Sequence, residues 1–207
     1  MIRVLIVDDS PFFRKRISQE LARSAEIEVV GEATDGREAV EMAASLRPDL
    51  ITMDVAMPVM DGISAVREIM RTHPTDIIMF SALTSEGARA TLDALEAGAV
   101  DFLAKQHGIN GHAGAHGGES LCSRIVSIAR RPRGQCRVEA PLEASRPPVR
   151  PVQRHTVTPR LVVIGASTGG PVAIQKILAG LAPDYPYPLL VAVHMPGEFT
   201  VSFAERL

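Results

Sequence analysis

The strongest constraint on this 207-residue chain is a regular alternation of two periodicities over its first 130 residues. Short β-branched runs read as buried strands: Arg3 to Val7, Glu28 to Val30, Leu50 to Met53, Ile77 to Phe80 and Val100 to Leu103. Between them lie segments with helical spacing of apolar residues: Phe12 to Arg23, Gly36 to Ser45, Gly62 to Thr72 and Ser85 to Ala97. Gly31, Pro48 and Gly98 punctuate the boundaries. Strands apolar along their whole length need cover on both faces, and helical crossovers of this length make neighbouring strands parallel. The expectation is an α/β fold, a doubly wound parallel sheet whose ligands sit at the carboxyl ends of its strands.

Beyond Lys105 the pattern breaks. Residues 107–118 are Gly, His and Ala apart from Ile109 and Asn110, and Glu119 to Arg130 regains helical spacing. Residues 131–159 are rich in Pro and Arg and have no periodicity, which predicts an extended linker. Charge divides the chain the same way. Residues 1–129 carry 12 basic and 19 acidic groups, whereas residues 130–160 carry eight Arg and two Glu. From Leu161 a second α/β pattern starts: the run LVVIG, a glycine-rich turn, an apolar helix over Val172 to Leu181 and a strand over Leu189 to Val193. The expected domains are therefore 1–130, a linker over 131–159, and the opening βαβ of a second α/β unit over 160–207. About 47 residues are too few to bury a core around a parallel sheet, so this second unit is expected to be cut short.

Composition removes several functional classes. Aromatic residues make up 4% of the chain, with no Trp, which argues against a base-stacking platform. The Arg-rich strap has no Lys and no interleaved aromatics, so no nucleic-acid partner is expected. His107, His112 and His116 lie where no regular element would orient them as metal ligands. Cys122 and Cys136 are too few for a disulfide framework. No apolar run is long enough to insert in a membrane, and the N-terminus has no secretory layout. A cytoplasmic protein is expected.

Chemistry gathers at the strand ends. Asp8 and Asp9 follow the first strand, Asp54 closes the third, Ser81 the fourth, and Lys105 follows the fifth. A doubly wound sheet brings these ends to one edge. Three converging carboxylates repel unless a cation neutralises them, and oxygen-only ligands favour a hard ion such as Mg²⁺. A hydroxyl and an ammonium at the same rim suit a phosphoryl group on a carboxylate, with Asp54 as nucleophile. Singly, each Asp after a strand would be an ordinary turn residue.

The segments VLIVDDSPFFRKRI, MDVAMPVMDGISAVREI and MFSALTSEGARATLDALEAGAVDFLAK resemble a response-regulator receiver domain of flavodoxin-like fold, over about residues 1–130. The resemblance implies Asp54 as phosphoacceptor and Asp8, Asp9, Asp54 and the Ala56 carbonyl as the Mg²⁺ ligands. It also implies Ser81 as the switch hydroxyl, Lys105 as the phosphate-binding lysine, and a histidine kinase as phosphodonor. Here Gln106 follows Lys105 where the family usually has Pro. A non-prolyl cis bond costs about 3 kcal/mol, so this peptide is expected trans.

In the second segment, Gly165, Ser167 and Gly169 of LVVIGASTGGPVAI fit G-x-S-x-G at a strand-to-helix turn. The spacing suits neither a dinucleotide loop nor a P-loop. Helix N-terminal amides there can stabilise an oxyanion, although the pentapeptide alone reads equally as a structural turn. His194, at the end of the next strand, shifts the balance toward a serine with a base. Asp184 is the first candidate within the chain for an orienting acid. GASTGGP followed by HMPGEFTVSFAERL, joined to a receiver, resembles the CheB-type protein-glutamate methylesterases of chemotaxis. The resemblance implies Ser167 as nucleophile, His194 as base, and Thr168 and Gly169 in the active-site turn. It further implies hydrolysis of glutamyl methyl esters and deamidation of glutamines on chemoreceptors, with the receiver packed over the site until phosphorylated. Val193 replaces a usual Gln, and the family's orienting Asp lies downstream and is absent here. A chain of 207 residues is therefore expected to lack esterase activity. The competing readings are a receiver acting as a phosphate sink or interaction module with an inert remnant, and a receiver fused to another serine hydrolase.

Overall fold

The structure is a computed structural model that describes residues 1–82, 84–105, 120–131 and 159–207. The Lys105–Gln106 peptide, the Gly/His insertion, Cys136 and nearly all of the linker lie outside the described residues.

Five strands, β1 (Ile2–Val7), β2 (Ile27–Ala33), β3 (Leu50–Asp54), β4 (Asp76–Ser81) and β5 (Asp101–Ala104), form one sheet in the order β2-β1-β3-β4-β5. Every pairing is parallel. The helices are α1 (Pro11–Leu21), α2 (Gly36–Leu46), α3 (Gly62–Thr72), α4 (Ser85–Ala97) and α5 (Leu121–Ala129). Alternate residues of each strand feed opposite faces. Val4, Ile6, Ile78 and Phe80 pack with Ile17 and Leu21 of α1 and Ile125 of α5. Leu5, Val7, Met53 and Met79 pack with α2, α3 and α4 on the other face.

Side-chain caps set several helix starts. Asp35 accepts from the Arg37 and Glu38 amides at 2.8 and 3.0 Å, Asp61 from Ser64 at 2.7 Å, and Thr84 from Gly87 at 3.0 Å. Ser120 does the same for Ser123 at 3.1 Å, so α5 begins two residues later than its periodicity predicts. β2 is longer than the three residues expected. As an edge strand it carries exposed Glu28 and Glu32, which a search for uniformly apolar runs passes over.

The second segment supplies β6 (Val162–Ala166), α6 (Gly170–Ala179), β7 (Leu189–Val193) and α7 (Gly197–Ala204), with β6 and β7 parallel. It packs on the α4–β5 side of the receiver. Phe199 stacks on Phe102 with ring centroids 4.8 Å apart, and Phe203 and Ile174 join the core cluster that holds Leu92 and Leu95. Arg206 pairs with Asp93, and Arg89 with Glu205 at 3.2 Å.

The loop between β3 and α3 is pinned at both ends. The Gly62 amide donates to the Val55 carbonyl at 2.9 Å, and the Gly36 amide to that of Met60 at 3.0 Å. Between these anchors Val59 sits at φ 64° and is 83% exposed. A β-branched residue in the left-handed region is strained by about 1 kcal/mol or more, and here no buried contact offsets it. Val59→Asn should stabilise the protein by about 1 kcal/mol in thermal or denaturant unfolding, since Asn tolerates this conformation. An unchanged or lowered midpoint would contradict the strain assignment.

Candidate phosphoacceptor and hydrolase sites

Parallel strands deliver their C-terminal residues to one edge, and that edge collects the predicted acidic cluster. One carboxylate oxygen from each of Asp8, Asp9 and Asp54 lies within 4.8 Å of the others. Asp8 and Asp54 are buried and Asp9 is exposed. The Lys105 ammonium reaches across to both buried acids, 2.7 Å from Asp54 Oδ2 and 2.8 Å from Asp8 Oδ2. Backbone amides serve the remaining oxygens: Val55 donates to Asp54 Oδ1 at 2.7 Å and Ser10 to Asp8 Oδ1 at 2.9 Å. The aromatic face of Phe13 lies 4.6 Å from the ammonium.

Burial pushes the Asp54 carboxyl above its ordinary value, against the opposing pull of Lys105. For Lys105, burial acts downward, but the hydrogen bonds and charges of Asp54 and Asp8 outweigh it and the net shift is upward. Three carboxylates against one ammonium leave the cluster net negative, and every donor is an oxygen. That set fits a hard divalent cation. Ala56 lies two residues past Asp54 in an exposed bend.

Ser81 is turned toward the first turn of α4. It ends β4 at the same edge, but its hydroxyl donates to the Gly87 carbonyl at 3.1 Å and does not bond Asp54. The tight first turn of α4 explains this, because a Cβ on Gly87 would fall 2.4 Å from the Ala82 carbonyl oxygen and 3.0 Å from Ser81 Oγ. Gly62, to which the sequence assigned no site role, is equally constrained. A Cβ there would lie 1.9 Å from the Asp54 carbonyl oxygen, so any larger residue displaces the acid.

The second predicted site forms where β6 and β7 end. The His194 amide donates to the Ala166 carbonyl at 3.1 Å, tying the two strand ends together. Ser167 and Thr168 lead into Gly169, which caps α6 at φ 75° and so requires glycine. Ser167, Thr168, Gly169 and His194 line one cleft, but among the described residues no hydrogen bond joins the Ser167 and His194 side chains. Asp184 is not a partner. It lies in the connection entering the amino end of β7, at the opposite edge from Ser167, because parallel strands start where their neighbours start.

The receiver closes this cleft, in line with the packing that the resemblance implies, through residues that the sequence did not single out. Asp101 and Phe102 of β5 and Arg124 of α5 complete its lining and leave a cavity of about 10 Å³. Asp101 Oδ2 accepts from Arg124 Nη1 at 3.0 Å and from Thr168 Oγ1 at 3.4 Å. Burial raises the Asp101 carboxyl above its ordinary value, opposed by Arg124. The sequence signal was a charged residue between buried Val100 and Phe102.

Comparison with known proteins places both segments in families. The response regulator receiver domain family matches residues 4–111, more than half the chain, and the chain belongs to that family. The CheB methylesterase family matches residues 162–207. Over its whole length the chain is 46% identical to a protein-glutamate methylesterase/protein-glutamine glutaminase of Vibrio vulnificus, covering 62% of that protein. It is 44% identical to a counterpart from Pseudomonas aeruginosa at the same coverage. The chain thus spans about three fifths of the length of the curated relatives it matches. Among solved structures, the response regulator domain of Thermotoga maritima CheB aligns with 63% of this chain and 94% of its own, at 44% identity and a TM-score of 0.52.

The Lys105 bridge has a pH signature. A lysine whose folded value is raised stabilises fully below its ordinary value of 10.5 and loses that contribution as pH rises through the folded value. Denaturant unfolding of wild type and Lys105→Met should show a stability gap that is constant from about pH 7 to 10 and shrinks above. A gap unchanged at about pH 11.5 would contradict the bridge.

Proposed function

We propose that this chain carries the regulatory receiver and the nucleophile-bearing opening of a phosphorylation-controlled protein-glutamate methylesterase and glutaminase of chemotaxis. The observation that carries the reading is Lys105 bridging Asp54 and Asp8 beside Asp9. It is supported by the relatives' names and by Ser167 and His194 sharing one cleft. The proposed units are the receiver (1–130), a linker (131–159) and the catalytic segment (160–207).

In this reading Asp54 attacks the phosphorus of a kinase phosphohistidine or a small acyl phosphate, and the donor's imidazole or carboxylate leaves. Asp54 must be ionised to attack, and the adjacent ammonium of Lys105 favours that form against burial. Mg²⁺, when bound, would neutralise the phosphoryl oxygens, held by Asp8, Asp9, Asp54 and the Ala56 carbonyl. Ser81 must exchange its bond to the Gly87 carbonyl before it serves as a switch hydroxyl.

At the second site the Ser167 hydroxyl attacks a glutamyl methyl ester on a chemoreceptor and passes its proton to His194. Methanol leaves, and water then releases glutamate from the acyl-serine. Glutamine follows the same course with ammonia leaving. Amides at the N-terminus of α6 face the developing oxyanion. A cavity of about 10 Å³ admits no glutamyl side chain, so turnover requires a domain arrangement that phosphorylation favours. Among the described residues no helix is long and apolar enough to cross a membrane.

Phosphoryl label from a small acyl phosphate, labile to alkali and hydroxylamine, should appear on wild type in Mg²⁺ and vanish in Asp54→Asn. Undiminished label in the variant would refute Asp54 as acceptor. Mg²⁺ at a hundred times its Kd should stabilise the protein by about 2.7 kcal/mol and do so far less in Asp8→Asn. Equal stabilisation of both would move the metal elsewhere.

A further inference from the structure

We propose that Asp101 is a built-in mimic of the carboxylate product, a side chain that the receiver holds in the Ser167–His194 cleft where the substrate's glutamyl carboxyl belongs. The proposal rests on the esterase reading of Ser167 and His194 and names what occupies that site at rest.

Asp101 is an odd residue for its place. It opens β5 between Val100 and Phe102, is 5% exposed, and belongs to the receiver, yet it bonds Thr168, the residue after the proposed nucleophile. A buried carboxylate is costly unless satisfied, and Arg124 satisfies it at 3.0 Å from the receiver's own α5. The receiver therefore supplies both the acid and the base that keeps it buried. Neither is needed for phosphoryl transfer, whose groups lie at the far end of β5.

The chemistry of the group matches the site. Hydrolysis of a glutamyl methyl ester leaves a carboxylate on a methylene, and the aspartate side chain ends in those same atoms. The remaining cavity of about 10 Å³ is at the threshold for a single water, so ester and Asp101 cannot share the cleft. Burial raises the Asp101 carboxyl above its ordinary value, opposed first by the Arg124 charge. The charged and titratable groups facing it are Arg124 on α5, Arg131 beyond it, and His194 across the cleft. Lys105, four residues on, bonds the phosphoacceptor, so one short strand serves both sites.

An intramolecular competitor lowers the fraction of open clefts. It raises the apparent KM and leaves kcat unchanged. In a form extended to the length of its relatives, unphosphorylated and assayed by methanol release from a glutamyl methyl ester peptide, Asp101→Ala should lower KM about tenfold at constant kcat. Asp101→Asn, which preserves shape, should lower it less. Acetate should fill the space left in Asp101→Ala and restore the high KM competitively, with little effect on wild type. An unchanged KM overturns the proposal. A lowered KM that acetate does not reverse also overturns it, leaving Asp101 a docking contact. Turnover that survives Ser167→Ala in the Asp101→Ala background overturns the esterase reading of Ser167, and this proposal with it.

Discussion

The ammonium of Lys105 between two buried carboxylates is the interaction on which the rest depends. Without it Asp8 and Asp54 would share a desolvated edge as like charges, and burial alone would favour the protonated, unreactive form of Asp54. The lysine tolerates its own burial because both acids hold its proton. The sheet order places these groups together: β1 and β3 are neighbours, and β5 brings Lys105 in from the edge.

The strand that carries Lys105 also carries the contacts to the second segment. Asp101 meets Thr168, and Phe102 stacks on Phe199. Around this pair the α4–α7 boundary is an apolar core extended by exposed ion pairs such as Arg89–Glu205. Exposed pairs are worth little individually, so Phe199, Phe203 and Ile174 carry most of the attachment. A contact of this kind is suited to switching, because a modest change in β5 acts on packing and on the buried Asp101–Arg124 pair together.

Much of this was legible in the sequence. Asp8, Asp9, Asp54 and Lys105 could be placed because uniformly apolar runs locate strand ends, and parallel topology sends those ends to one edge. Ser167 and His194 were placed by the same logic. The direction of Ser81 Oγ was not legible, because a carbonyl six residues on captures it. Nor was the strain at Val59, which arises from loop anchors at Val55 and Met60. Asp101 as part of the second cleft depended on how two separate segments pack, which no local pattern encodes.

In the proposed reading, charge added at Asp54 reaches the Ser167 turn through β5. Amide hydrogen exchange on this 207-residue chain, with and without Mg²⁺ and beryllium fluoride as a phosphoryl mimic, tests it most directly. Exchange in α7 and in the turn from Ser167 to Gly170 should be faster when the mimic binds, with no such change in Asp54→Asn. Protection of those segments that is unchanged in wild type, or lost equally in the variant, would contradict it.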